Sequence, residues 1–207
     1  GWRNVYTQIG LTETYKIAGR DYNVQILLPN EYDKTKEYSV TYMFGRHQRY
    51  RNAGSDSELG DRILYPDSWA VADSVVAMEK QGVDVGVIAV IYAQLPEFTP
   101  WANDEFMGTG DANEFLTSFV NDFKPAFEKK YSIVSNKESC TIMGADVAGL
   151  FAFYATLKHP ELFGACGMFA PSFWYNRSEL VDFVDDYVPT LLTTKFFFTA
   201  TTKDIQM

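Results

Sequence analysis

The stretch CTIMGADVAGL, residues 140–150, decides the fold of this chain. Four residues typical of a buried β-strand lead into Gly144, and a short turn of small residues follows. From Val147 to Lys158 the chain has the composition of a helix. The stretch therefore predicts a strand, a tight turn and a helix in immediate succession.

The predicted turn has a small residue two places on either side of Asp146, namely Gly144 and Ala148. This is the backbone pattern of a nucleophile elbow, in which strand and helix nearly touch across the turn. The central residue is forced toward positive φ, which Asp tolerates better than most residues. Ser usually occupies that centre. The sequence therefore predicts the scaffold of a catalytic site with a carboxylate in its principal position.

The composition indicates one globular domain that spans residues 1–207. Hydrophobic residues make up 46% of the chain and aromatic residues 16%, which excludes a disordered protein. The net charge of −9 argues against binding to nucleic acid or to an anionic membrane. No apolar run approaches the roughly 20 residues of a membrane helix. We therefore expect neither nucleic acid nor a membrane as a partner.

The two cysteines, Cys140 and Cys166, lie in apolar runs typical of strands. We expect buried free thiols, with a disulfide between the two strands as the alternative. No Cys and His spacing typical of a zinc site is present, so we expect neither metal nor cofactor. The chain starts at Gly1 rather than Met, which agrees with a cleaved signal peptide and secretion, and equally with a trimmed or cytoplasmic chain.

Buried strands alternate with helices along the chain, a pattern that predicts a mostly parallel sheet covered by helices on both faces. The predicted strands are two or three within 3–28, then 38–44, 83–92, 140–143, 166–170 and 195–200. The predicted helices are 66–82, 114–130 with a kink or the start of a new turn at Pro125, 147–158 and 179–188. Residues 93–110 show no regular period and are predicted to form a loop over one edge of the sheet.

Several segments carry a family resemblance by their order and spacing. They are VQILLPNEY (24–32), YSVTYM (38–43), FKPAFEKKY (123–131), GADVAGL (144–150), HPELF (159–163) and APSFW (170–174). Together they resemble the putative-esterase branch of the α/β-hydrolases, which includes feruloyl esterases, S-formylglutathione hydrolases and enterochelin-type esterases. The resemblance implies an α/β-hydrolase-like three-layer sandwich that is truncated at its C-terminal end, because the usual final strand and helix would follow residue 200.

The resemblance also implies a set of site residues. Asp146 occupies the position of the nucleophilic Ser, Val147 that of an oxyanion N–H donor, and Asp204 that of the acid. Relatives carry a catalytic His near the C-terminus, but this chain stops three residues after Asp204. Of the two histidines, we expect His159 to have a capping or surface role and His47 to be a loop residue near the mouth of the site.

These departures change the chemistry that the site can perform. Acyl transfer needs a hydroxyl nucleophile, a base beside it and an oxyanion hole. Without a His to activate water, Asp146 could react at best once. We therefore favour a catalytically degenerate domain that acts as a binding or interaction module. The alternatives are an active feruloyl or acetyl esterase whose His-bearing C-terminal segment is missing here, and a structural module of a secreted assembly.

Charge predicts a further contact in the site. A carboxylate at an elbow lies at a helix N-terminus, which favours an anion. Arg46 follows the strand 38–44 and faces the elbow in this fold, so one hypothesis is an ion pair between Arg46 and Asp146. The interpretation that the sequence slightly favours is that Arg46 belongs to a solvated basic loop with Arg49 and Arg51.

Aromatic residues are frequent in the loops that should line the carboxyl edge of the sheet, where ligands bind in α/β folds. They are Trp101, Phe106, Phe173, Trp174 and Tyr175. Such rings suit a carbohydrate or an aromatic ester, and the predicted binding residues are Arg46, His47, Trp101, Trp174 and Tyr175. Phe173 and Trp174 more often pack beneath such a rim, and the sequence leaves the exposure of Trp101 and Tyr175 open.

Overall fold

The computed structural model describes residues 9–46, 71–106, 108–187 and 193–200. Its strands are β1 Ile9–Ile17, β2 Arg20–Leu28, β3 Val40–Arg46, β4 Val87–Ala93, β5 Cys140–Ala145, β6 Ala165–Phe169 and β7 Lys195–Thr199. Its helices are α1 Val71–Lys80, α2 Leu95–Phe98, α3 Ala112–Ser118, α4 Lys124–Lys130, α5 Val147–Lys158 and α6 Arg177–Tyr187. Within this described part, no helix is long and apolar enough to cross a membrane.

The described strands form one sheet in the order β1-β2-β4-β3-β5-β6-β7. Strands β1, β2 and β4 pair antiparallel, and the five strands from β4 to β7 run parallel. The apolar runs of β3 and β4 are buried on both faces, as parallel strands usually are. The predicted mostly parallel sheet is confirmed.

The order of the strands reverses at β3, and this reversal positions the site. The chain leaves β3, forms α1 and returns as β4 on one side, whereas β5 lies on the other side of β3. Ligands of open α/β sheets bind outside the carboxyl ends of strands at such a point. Phe44 of β3 pairs with Gly144 of β5, so Arg46 and Asp146 each follow that pair by two residues.

Helices cover both faces of the sheet and create two main apolar clusters. The larger cluster packs Tyr42, Phe44 and Ile142 of the sheet under α3, α4 and α5. On the opposite face Val75 of α1 joins a smaller cluster with apolar residues of β2, β3 and β4. The predicted three-layer sandwich is therefore observed.

The predicted helix 114–130 is interrupted by a π-helical turn, Phe119–Phe123, that joins α3 to α4. Pro125 lies in the first turn of α4, where its missing N–H cannot complete the regular hydrogen-bond pattern. The wider turn keeps a column of rings buried, because Phe119 and Phe123 stack at 5.4 Å and Phe123 and Phe127 at 5.3 Å. The predicted kink thus takes the form of a π turn.

Residues 93–110 are more regular than the sequence predicts. They contain α2 and a 3-10 turn, Asp104–Phe106. Helix α2 is stabilised by Pro96 in its first turn and by a reciprocal capping box between Gln94 and Glu97. The predicted helix 66–82 is described only from Val71 onward. The strand predicted over 83–92 begins only at Val87 in the structure. A turn precedes it, and Gly86 has a φ of 67°, which is incompatible with a strand.

Both cysteines are buried free thiols, as expected, and no disulfide joins them. Burial raises the pKa of the Cys140 thiol to about 12 and that of the Cys166 thiol to about 11. Thiols held in the protonated form are poor nucleophiles. Neither cysteine is therefore suited to act as a nucleophile.

Candidate functional site

Asp146 lies in a sharp turn between β5 and α5, with φ of 57° and ψ of −127°. Close approach of strand and helix explains the small residues on either side. A Cβ atom on Gly144 would lie 2.3 Å from the carbonyl oxygen of Ala148, which is shorter than any real contact. The backbone therefore has the elbow geometry that the sequence predicts, with a carboxylate at its apex.

The backbone of Asp146 is anchored to the neighbouring strand and to the loop that follows it. Its N–H donates to the carbonyl oxygen of Phe169 in β6 at 3.0 Å. Its own carbonyl oxygen accepts hydrogen bonds from Leu150 in α5 and, at 3.1 Å, from the N–H of Ser172. The strained turn is thus fixed by β6 as well as by α5.

The carboxylate of Asp146 contacts one group at the end of β3 and one in the loop after β6. The Ser172 hydroxyl donates to Oδ1 in a short hydrogen bond, and Nη1 of Arg46 lies 3.7 Å from Oδ2. The ion pair between Arg46 and Asp146, the less favoured of the two hypotheses, is therefore observed. Both of its side chains are about half exposed, at 48% and 57%, so water weakens the attraction.

Ser172 is a site residue that sequence reasoning missed. It is only 1% exposed, and its side chain and backbone N–H both bond to Asp146. A signal existed in the sequence, because the residue lies in the loop that follows β6, and β6 pairs with β5. The loops after adjacent parallel strands meet at one edge of the sheet, where their polar side chains can bond to each other.

The carboxylate lies at the N-terminus of α5, where the helix dipole stabilises negative charge. It accepts no hydrogen bond from the backbone of that helix and is directed toward Ser172 and Arg46 instead. Val147, the predicted oxyanion donor, begins α5 and is 3% exposed. Its role remains a prediction.

The aromatic rim differs from the predicted one in which rings reach solvent. Trp174 is 47% exposed and Phe106 38%, and their ring centroids lie 5.3 Å apart. Tyr175, in contrast, is buried at 3%, which corrects its assignment to the binding surface. Trp101 is half-buried because it packs against Tyr154 and Phe183. Trp174 and Phe106 therefore form the exposed part of the rim.

No imidazole lies beside Asp146 in the part of the chain that the structure describes. The one histidine in the described ranges is His159, which lies at the C-terminal end of α5. The 12 residues of α5 separate His159 from Asp146 by about 18 Å. It contacts Glu161 at 3.2 Å. The other predicted residues, His47 and Asp204, lie outside the described residues, as do Arg49 and Arg51. The described ranges also contain no group of three or more side chains suited to a metal ion.

Comparisons with known proteins agree with this architecture. A curated relative, Uncharacterized protein YbbA of Bacillus subtilis (strain 168), is 31% identical over 90 residues, which is 41% of this chain and 36% of that protein. A solved ferulic acid esterase superposes with a TM-score of 0.59 at 19% identity, over 81% of this chain and 60% of that one. An IroE-like serine hydrolase from Shewanella oneidensis gives 0.68 at 16% identity, over 93% and 60%.

The chain thus spans 60% of the length of each of these two structures, and at such identities the likeness concerns the fold. The family profile adds a match in sequence. The profile described as Putative esterase covers residues 16–193, which includes the sheet from β2 to β6, the elbow and Ser172. This chain therefore belongs to the putative esterase family and has the α/β-hydrolase fold.

Proposed function

We propose that this chain is a catalytically silent esterase-like domain that acts as a binding module. One observation carries the proposal. The residue at the apex of the elbow is Asp146, and its carboxylate is held by the Ser172 hydroxyl and faced by Arg46. A group bonded in this way occupies the place where a serine hydroxyl would attack an ester.

The chemistry of a carboxylate at this position supports the absence of esterase activity. Attack by Asp146 on an ester carbonyl would leave an acyl group on its side chain, and an activated water would have to remove it. Such a water needs a base, and the described residues place no imidazole near Asp146. Ser172 does not replace the lost nucleophile, because it is 1% exposed and a substrate carbonyl cannot reach its oxygen.

Charge also opposes acyl transfer at this elbow. The transition state places a negative oxygen near the N-terminus of the elbow helix, where backbone N–H groups would stabilise it. Asp146 puts a full negative charge at the same helix end. Two like charges a few ångströms apart repel each other, so an oxyanion would be disfavoured there.

The exposed rings beside the elbow support a retained binding role. Trp174 belongs to a turn in which the N–H of Tyr175 donates to the carbonyl oxygen of Ser172 at 3.1 Å. The turn therefore joins the exposed indole directly to the residue that holds Asp146. Aromatic faces suit a sugar ring or a phenolic group. Because a ferulic acid esterase shares the fold, we propose feruloylated carbohydrates as the ligands.

A titration tests the binding role. We expect feruloylated oligosaccharide to produce a saturable heat signal with the chain, and Trp174→Ala to weaken the affinity by roughly tenfold. Val181→Ala is the matched control, because Val181 is an exposed apolar residue on α6, at 53%. Chromatography of the same mixtures should show no released ferulate. Absence of a saturable signal at millimolar ligand would refute the binding role, and released ferulate would favour an active esterase.

A further inference from the structure

Two loops from distant parts of the chain carry the exposed rings of the rim. The first rim loop, residues 99–106 and 108–110, lies between α2 and α3 and carries Phe106. The second rim loop, residues 170–176, lies between β6 and α6 and carries Trp174. The ring centroids of Phe106 and Trp174 are 5.3 Å apart, with the ring planes at 67°. The relative position of the two loops therefore determines the aromatic surface that a ligand meets.

The side chain of Asn103 joins the first rim loop to the second. Its Nδ2 donates to the carbonyl oxygen of Tyr175 at 2.7 Å, and its Oδ1 accepts from the N–H of Glu105 at 3.1 Å. Tyr175 directly follows Trp174, so the first contact fixes the backbone beside the indole. The second contact fixes the 3-10 turn that ends at Phe106. One amide thus holds the backbone next to both exposed rings.

Asn176 makes the reciprocal contact from the second rim loop to the first. Its Nδ2 donates to the carbonyl oxygen of Ala102 at 3.3 Å. Asn176 directly precedes α6, and its own carbonyl oxygen accepts the N–H of Leu180 at 2.9 Å, so the helix fixes its position. We call the contacts made by Asn103 and Asn176 the rim clasp. Two hydrogen bonds in opposite directions fix the register of the two loops.

Close packing supports the rim clasp. The N–H and C=O groups of Asn103 both bond to Gly108, at 2.9 and 3.0 Å, which closes the first rim loop on itself. A Cβ atom on Gly108 would lie 1.8 Å from the hydroxyl oxygen of Tyr175, so this contact requires glycine. The Tyr175 ring is 3% exposed and lies 5.6 Å from the ring of Phe106. A buried ring therefore fills the space between the two loops.

We propose that the rim clasp positions Trp174 for ligand binding, with Asn103 as its main positioning residue. The proposal rests on the binding role given above under Proposed function. Neither Phe106 nor Trp174 lies in a strand or an α-helix, so contacts between the loops, and not the sheet, hold the two rings in place. An indole that is already held in place loses less conformational freedom when a ligand stacks on it, and the affinity is correspondingly higher. Asn103 acts on the ligand through Trp174.

Two substitutions break the rim clasp and leave the local turns intact. Asn103→Asp keeps the oxygen that accepts from Glu105 but removes the donor to Tyr175. Asn176→Ser keeps a residue type that favours the start of a helix, but its side chain is too short to reach Ala102. The first variant adds a charge and the second does not. An effect that both variants share therefore does not come from charge.

Calorimetric titration with feruloylated oligosaccharide measures the consequence for binding. We expect each of the two clasp variants to weaken the affinity by roughly fivefold. Thr109→Ala is the matched control. Thr109 is an exposed residue of the first rim loop, and its hydroxyl donates to Asp111 at 2.9 Å without crossing to the second loop. This control should bind with the affinity of the parent chain.

A second readout, in the ligand-free chain, distinguishes positioning from a general loss of stability. The indole N–H resonance of Trp174 is assigned by its loss in Trp174→Phe. We expect this resonance to shift and broaden in both clasp variants, because the indole samples more orientations, and to stay unchanged in Thr109→Ala. Circular dichroism shows whether each variant is folded, and if one clasp variant does not fold, the other decides.

The two measurements separate the possible failures. An unchanged Trp174 resonance in folded clasp variants would overturn the proposal. A parent chain that binds the oligosaccharide no more tightly than its clasp variants would refute the positioning role alone. A parent chain that does not bind the oligosaccharide would refute the proposed function and the positioning role with it.

Discussion

Ser172 donates its hydroxyl hydrogen bond to the carboxylate of Asp146, and this contact joins the loop after β6 to the turn after β5. Arg46 approaches the other carboxylate oxygen from β3. The two contacts differ in their surroundings, since Ser172 is buried and Arg46 is about half exposed. Burial strengthens a hydrogen bond and exposure weakens an ion pair, so Ser172 should contribute more to the stability of the turn.

The first prediction compares substitutions at these two positions. Ser172→Ala should lower the free energy of unfolding by about 1 to 2 kcal/mol, because the carboxylate loses its buried donor. Arg46→Met should change it by less than about 0.5 kcal/mol. Urea unfolding of both variants measures the difference. In an Asp146→Ala background the loss from Ser172→Ala should shrink, and an equal loss in both backgrounds would show that the contact does not matter.

The second prediction concerns the close approach of strand and helix at the elbow. Gly144→Ala should destabilise the fold by about 3 kcal/mol, because the new Cβ would lie 2.3 Å from a backbone oxygen of α5. Gly45→Ala on the adjacent strand is the matched control. Its Cβ would lie 3.2 Å from the ring of Tyr92, a side chain that can move, so the expected loss is under about 1 kcal/mol. Similar unfolding midpoints for the two variants would contradict the tight elbow.

The third prediction rests on Glu13 in β1, which accepts hydrogen bonds from three side chains. Tyr15 donates at 2.5 Å, Lys130 donates at 2.9 Å, and Tyr131 donates in a short bond. Burial by itself raises the pKa of Glu13, but the three hydrogen bonds outweigh it and hold that pKa below its ordinary value of 4.5. The ionised form is therefore the one that the fold stabilises.

The sign of the pH dependence follows from the lowered pKa. Ionised Glu13 adds stability that is fully present above the pKa of the unfolded chain and is lost as the pH falls through the lower pKa of the folded chain. Glu13→Gln should cost about 1 kcal/mol at about pH 7, and the difference from the parent should shrink toward about pH 3. Asp21→Asn, in an exposed ion pair with Lys16, should have little effect at either pH. A pH-independent loss in Glu13→Gln would contradict the assignment.

Local backbone rules made the elbow and its nearest charged contact predictable from the sequence. A tight turn at Asp146 requires small residues on either side of it, and that requirement does not depend on the rest of the fold. Arg46 was predictable because β3 and β5 are adjacent parallel strands, so equal offsets beyond Phe44 and Gly144 bring two residues together. In both cases a short segment or the register of two adjacent strands is enough to predict the position of the residue.

Contacts made by loop side chains were not predictable in the same way. Ser172 bonds to Asp146 because the turn after β6 brings the two residues together, and no periodicity specifies that turn. Trp174 and Tyr175 are neighbours in sequence, yet one is exposed and the other is buried. Which of two adjacent rings packs inward depends on the tertiary neighbours of the loop, such as Phe106 and Gly108.

The central claim is that the elbow has kept its geometry while losing its reactivity, and ester hydrolysis tests it most directly. The rate of p-nitrophenyl acetate hydrolysis should be measured for the folded chain, for Asp146→Ala and for Asp146→Asn. We expect the three rates to be equal within error and not to saturate with substrate. Saturable turnover by the folded chain that disappears in Asp146→Ala would contradict the claim, because Asp146 would then be a working nucleophile.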